Sequence, residues 1–144
     1  TVRTKYTSKN LTKMGAYVLS DSKAPRRAVL VATGSEVAIA VEAKKMLEDE
    51  GIGIRVVSMP CWELFEQQDE KYQRKIFPAR ILIIAIEASV SMGWEKWLFG
   101  GEKKNKANCF IGMKGFGASA PAKELYDYFG INAQSIFDKV KNNL

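Results

Sequence analysis

The chain has 144 residues, which fits one globular domain, and its 47% hydrophobic and 26% charged content is ordinary for that class. No apolar run approaches the ~20 residues that cross a bilayer, so we expect no membrane partner. The net charge of +6 resides in residues 1–27, a segment that either binds phosphates or forms a solvated linker. Because no recognition helix or zinc finger accompanies it, we expect no nucleic-acid partner.

Five apolar runs predict strands, and amphipathic segments between them predict helices. The predicted strands cover residues 15–20, 27–32, 54–58, 80–86 and 107–111. The predicted helices cover residues 35–50, 62–65, 69–77, a short segment carrying Trp94 and Trp97, 121–129 and 132–144. Ser35 and Asn132 are predicted N-caps. One face of the first long helix is predicted to carry the apolar side chains of Val37, Ala40, Val41, Met46 and Leu47.

The alternation of strands with helices predicts an α/β fold. We expect a three-layer αβα arrangement, in which helices cover both faces of a mostly parallel, mixed five-stranded sheet. Residues 15–20 are predicted to form a short edge strand of that sheet.

Chemically active residue types are scarce. The chain has no histidine, which removes the commonest acid–base group and metal ligand. Cys61 and Cys109 are far apart and show no metal-binding spacing, so we expect free thiols in a reducing cytoplasm. We therefore assign no catalytic, cofactor-binding or metal-ligating residue.

Small polar residues follow three of the predicted strands, at the sheet edge where ligands of open α/β folds bind. Helix N-termini at such an edge hold phosphate or sulfate, but the same residues also serve tight packing and capping. They form a candidate anion, regulatory or interdomain site, and its members are Thr33, Gly34, Ser35, Glu87, Ser89, Gly117 and Ser119.

Two further groups have open interpretations. Glu87 is a lone carboxylate at a strand end, and three interpretations are open: it is a functional acid, it bonds backbone N–H groups, or it faces another domain. Large apolar side chains near the loops belong to the core or, where exposed, mark an interdomain or dimer surface. These side chains are Trp62, Trp94, Trp97 and Phe99.

Five strings of residues are specific enough to compare with known families. They are ATGSEV at residues 32–37, VVSMPCWELF at 56–65 followed by Gln68 and Asp69, IEA at 86–88, GW at 93–94 and GMKGFGASAPAKELY at 112–126. Together they resemble the last part of transketolases. Their order and approximate spacing agree from about Gly15 to the C-terminus. The resemblance implies a C-terminal, third domain at 15–144, with residues 1–14 as a lead-in from a missing pyrimidine-binding domain.

The resemblance also implies a parent enzyme. Transketolases are cytoplasmic homodimers of the pentose phosphate pathway, and they transfer a two-carbon ketol unit from a ketose phosphate to an aldose phosphate. They use thiamine diphosphate and a divalent cation, Mg or Ca, held by residues of the first two domains. The start without methionine or signal core suggests a cut from such a parent.

We therefore expect the isolated chain to bind no thiamine diphosphate and to be inactive, with a role in architecture, dimer support or regulation. Its partners would be the other transketolase domains and a second subunit. The alternative is a non-catalytic interaction subunit or an independent anion-binding α/β domain.

Overall fold

The computed structural model describes residues 11–87, 93–101, 105–112 and 131–144. The strands in this part of the chain are β1 (Tyr17–Ser20), β2 (Arg26–Ala32), β3 (Gly53–Ser58), β4 (Leu82–Glu87) and β5 (Cys109–Gly112). The helices are α1 (Glu36–Asp49), α2 (Trp62–Glu66), α3 (Glu70–Ile76), α4 (Glu95–Phe99) and α5 (Ala133–Asn143). A 3-10 turn, Thr12–Met14, precedes β1. The helix predicted at 121–129 lies outside the described residues.

The five strands form one mixed sheet with the order β1-β3-β2-β4-β5. The β1 strand runs antiparallel to β3, and the other three neighbouring pairs are parallel. This confirms the predicted sheet and its short edge strand. Among the described helices, none combines the length and apolar character that crossing a membrane requires.

Side chains of the central strand alternate between two cores, one on each face of the sheet. Ala28, Leu30 and Ala32 pack with α1 and α5, whereas Val29 and Val31 pack with α2, α3 and α4. All five have no exposed surface, as expected for a parallel strand covered on both faces. The three-layer αβα arrangement predicted from the sequence is confirmed.

The first long helix departs from prediction at two positions. Val41 is 41% exposed, because the face of α1 that meets the sheet runs through Ala40, Ala43 and Leu47. Val41 lies one residue, about 100° of helix rotation, beyond Ala40 and so falls outside that face. Ser35 makes no capping hydrogen bond, because its backbone is already helical (φ −68°, ψ −22°).

Two other helices begin at side-chain caps. Asn132 accepts a hydrogen bond from the Ser135 backbone N–H at 2.8 Å, which confirms the predicted cap of the last helix. Asp69 accepts from the Tyr72 backbone N–H at 2.8 Å and so caps α3. Each bond satisfies an N–H group that the helix itself leaves unpaired.

A partly buried ion pair fixes the link between β1 and β2 at the amino edge of the sheet. Both oxygens of Asp21 accept hydrogen bonds from Arg55, at 3.0 and 2.8 Å, and Arg55 is only 6% exposed. Lys44 donates to the Asp21 backbone carbonyl at 2.6 Å and to that of Ile54 at 2.8 Å. The hydrogen bonds from Arg55 outweigh partial burial and lower the pKa of Asp21 to about 2.

We predict that Asp21→Asn lowers the free energy of unfolding at neutral pH by about 1–3 kcal/mol, since it leaves the buried Arg55 guanidinium without its counter-charge. The folded pKa of Asp21 lies below the ordinary value of 3.8. Its contribution is therefore present above about pH 4 and is lost as the pH falls toward 2. Chemical denaturation between pH 2 and 7 measures both effects.

The exposed Asp49 on α1 supplies the matched control, because Asp49→Asn makes the same chemical change outside this network. Its effect is expected to stay within about 0.5 kcal/mol. Equal losses from the two variants would show that the Asp21–Arg55 pair adds nothing to stability.

Candidate functional site

The carboxyl edge of the sheet brings together the described members of the candidate site. The parallel register pairs Ala32 of β2 with Ile86 of β4. Thr33 and Glu87 directly follow these two residues. The turn at residues 33–35 and the Glu87 carboxylate therefore lie side by side at the ends of neighbouring strands. Ser89, Gly117 and Ser119 lie outside the described residues.

The first turn of α1 already holds a carboxylate that the sequence analysis did not assign to the site. Glu36 is only 5% exposed, and Ser35 Oγ lies 3.3 Å from Glu36 Oε1. A Cβ added to Gly34 would lie 3.6 Å from Glu36 Oε2, so this carboxylate is close to the turn itself. The favourable interaction of the helix N-terminus with negative charge is therefore used within the chain. Such an end repels a second anion.

Among the described residues, Glu87 bonds a side chain. The indole N–H of Trp94 donates to Glu87 Oε2 at 2.5 Å. Trp94 has no exposed surface, so this bond satisfies a donor that would otherwise be buried without a partner. The carboxylate thus anchors the start of α4 to the end of β4.

Gly93, next to Trp94, is required by the packing of a second indole. Its φ of +94° favours glycine, and a Cβ there would lie 2.0 Å from Cζ3 of Trp62. The rings of Trp62 and Trp94 meet edge to face with centroids 4.8 Å apart. The GW pair of the sequence therefore closes an aromatic cluster at this edge.

The segment that leads into β1 is also fixed at the carboxyl edge. The Cys61 backbone N–H donates to the Gly15 carbonyl at 3.1 Å, and the Tyr72 hydroxyl donates to the Ala16 carbonyl at 2.7 Å. Gly15 has a φ of +81°, and a Cβ there would lie 2.2 Å from the Phe65 backbone nitrogen. This close approach sets the position at which the chain enters the domain.

The large apolar side chains divide between core and surface. Trp94 and Trp97 are buried, Trp62 is half-buried, and Phe99 is 52% exposed. The acidic residues Glu63, Glu66, Asp69 and Glu70 are exposed and form a solvated face.

Neither thiol forms a disulfide: Cys61 and Cys109 are free. Burial raises the pKa of the Cys109 thiol by more than the Lys139 ammonium lowers it. The Cys61 thiol donates a hydrogen bond to Glu63 Oε2 at 3.3 Å. Within the described ranges, no three His, Cys, Asp or Glu side chains are grouped so that they could ligate a metal ion.

These features define a three-layer α/β domain in which the described side chains at the carboxyl edge contact one another. A family profile described as the transketolase-like TK C-terminal domain matches residues 15–132. The chain therefore belongs to the family of transketolase C-terminal domains.

Relatives and solved structures agree with this assignment. The chain is 51% identical over its full length to the transketolase of Rhodobacter capsulatus, covering 21% of that protein, and 39% identical over 139 residues to that of Aquifex aeolicus, covering 19%. A transketolase structure from Leishmania mexicana superposes with a TM-score of 0.83 at 39% identity over 99% of this chain and 20% of that one. The chain thus spans about a fifth of the length of these relatives.

We predict that Gly93→Ala destabilises the domain by about 2–4 kcal/mol, because the new methyl group adds a clash with Trp62 to the strain of a positive φ. Gly101→Ala is the matched control, since Gly101 has a φ of +90° and an added Cβ meets nothing within 4 Å. Its loss should be about 1 kcal/mol.

The free energies of unfolding of both variants are measured by urea denaturation. Gly93→Ala should lower the free energy of unfolding by less when Trp62 has already been replaced by alanine, because the clashing ring is then absent. Equal losses at Gly93 and Gly101 would contradict the assigned contact.

Proposed function

We propose that this chain is the C-terminal domain of a transketolase and that its role there is architectural. The parent enzyme would transfer a two-carbon ketol unit from a ketose phosphate to an aldose phosphate. The observation that carries the architectural role is the Glu87–Trp94 hydrogen bond of 2.5 Å. Through this bond Glu87, the candidate functional acid of the carboxyl edge, holds a buried indole in place.

The described residues do not fit thiamine diphosphate or its divalent cation. A diphosphate binds where a helix N-terminus and cations face it, but the first turn of α1 carries the buried carboxylate of Glu36. The chain has no histidine to ligate a metal or exchange a proton. We therefore infer that the cofactors belong to the other domains of the parent and that the isolated chain is inactive.

The attachment of the lead-in supports the same role. Residues 15 and 16 are bonded at the carboxyl edge, so a preceding pyrimidine-binding domain would join this one on the side of Thr33 and Glu87. The candidate site is then an interdomain contact within a cytoplasmic, homodimeric enzyme, in which this domain supports the dimer. The boundary at residues 14 and 15 is part of this proposal.

A segment exchange tests the proposal. The matching segment of the Rhodobacter capsulatus transketolase is replaced by this chain. The rate of ketol transfer by the chimera should stay within about tenfold of that of the unmodified enzyme, because the activation free energy changes by less than about 1.4 kcal/mol if no catalytic group is lost. The same relative without the segment, and the isolated chain, should both lack ketol transfer.

A folded dimeric chimera without activity would contradict the architectural role. Activity or tight thiamine diphosphate binding by the isolated chain, measured by calorimetry, would contradict the absence of a catalytic site.

The alternative is an interaction subunit or anion-binding domain that works on its own. The position of Glu36 disfavours a phosphate on α1, so we predict that millimolar ribose 5-phosphate raises the melting temperature of the chain by less than about 1 °C relative to chloride of equal ionic strength. A ligand bound at 100 times its Kd would add about 2.7 kcal/mol. A saturable rise in melting temperature would favour the anion-binding alternative.

A further inference from the structure

Four exposed cations lie at the amino edge of the sheet, on the side of α3 and α4, and we call them the basic edge. They are Arg27, Lys75, Arg80 and Lys106. None of them forms an ion pair with another residue in the described part of the chain, whose pairs all involve other cations. This cluster differs from the basic lead-in noted in the sequence, because three of its four members come from the electrically neutral remainder of the chain.

The fold gathers these cations from distant parts of the sequence. Arg27 lies at the start of β2, Arg80 two residues before β4, and Lys106 three residues before β5. These strands are consecutive in the sheet, and neighbouring strands lie about 4.8 Å apart. Lys75 joins them because its backbone carbonyl accepts a 2.7 Å hydrogen bond from Arg55, which fixes the end of α3 beside the start of β3.

Arg80 has a backbone conformation that its side chain does not favour. Its φ is +62°, and no other non-glycine residue in the described part of the chain has a positive φ. Glycine or asparagine would adopt this conformation more readily. Local backbone geometry therefore does not explain an arginine at this turn, whereas a contact made by its exposed guanidinium would.

Phe99 adds an apolar contact to the basic edge. It is 52% exposed at the end of α4. Asn108 holds that end in place, since its amide donates to the Leu98 carbonyl at 2.7 Å and its oxygen accepts from the Ile83 backbone N–H at 2.7 Å. Asn108 is two residues from Lys106, so the aromatic ring and the cations share one surface.

We propose that the basic edge and Phe99 bind an acidic segment of another protein that carries an apolar side chain. The partner's carboxylates pair with the guanidinium and ammonium groups, and its apolar side chain packs on the Phe99 ring. The exposed Phe99 ring beside the described cations suits an apolar side chain of a protein, and the parallel oligonucleotide titration tests the nucleic-acid alternative. This edge lies at the opposite end of the strands from Gly15 and Ala16, and therefore away from the proposed interdomain contact at the carboxyl edge.

The test uses the full chain and a fluorescein-labelled synthetic peptide of about twelve residues, with two central leucines flanked by glutamates. Fluorescence anisotropy at about 0.15 M salt should show saturable binding that weakens as salt rises. Replacing the glutamates by glutamine should abolish binding, and replacing the leucines by alanine should weaken it. A thymidine oligonucleotide of about twenty nucleotides is titrated in parallel.

Variants locate the binding surface. Arg80→Glu combined with Lys106→Glu should raise the Kd for the peptide at least about fivefold, and Phe99→Ala at least about twofold. Lys13→Glu combined with Lys45→Glu is the matched control. Lys13 precedes β1 at the carboxyl edge, and Lys45 lies on α1, which covers the other face of the sheet, so reversing these two exposed cations should leave the Kd unchanged. Circular dichroism checks that all variants are folded.

Three results would overturn the proposal: no saturable peptide binding, equal losses from the test and control pairs, or tighter binding of the oligonucleotide than of the peptide. The last result would make the basic edge a nucleic-acid surface. Each of these outcomes is independent of ketol transfer by the chimera, so failure here leaves the architectural role intact.

Discussion

The burial of β2 on both faces is the constraint on which the rest of the molecule depends. Its neighbours β3 and β4 pair with it in parallel, and helices cover both sides, so its interior positions accept only apolar side chains. Polar and charged groups are consequently confined to the two ends of the strands. One end collects an ion-pair network and unpaired cations. The other collects glycines, indoles and two acidic side chains that the chain itself engages.

Much of the fold could be predicted because its signals are local. Apolar runs bounded by Gly, Pro and Asp identify each strand to within two residues, and Asn132 caps the last helix as its side chain predicts. The exposure of Val41 and the missing cap at Ser35 could not be predicted, because they depend on how α1 is rotated against the sheet and on where its first turn begins. Those are consequences of tertiary packing rather than of local sequence.

The candidate site illustrates the same limit. Strand ends identified Thr33 and Glu87 as neighbours, since the carboxyl ends of parallel strands meet at one edge. The sequence did not indicate that Glu87 accepts the indole N–H of Trp94, or that Gly93 is needed by Trp62, because these contacts join separate elements. The one available signal was the proximity of GW to a short helix, which suggested packing without naming the partners.

The two hydrogen bonds accepted by the backbone carbonyls of Gly15 and Ala16 also have an entropic consequence. A domain joined through a freely jointed tether explores a large volume, and its effective concentration at any one surface is low. Here the chain is held directly at the carboxyl edge through residues 15 and 16. The orientational freedom of a domain attached ahead of them would thus be restricted before docking begins. Forming an intramolecular contact at this edge would then cost less entropy than it would through a flexible tether. Even a small contact surface could therefore persist.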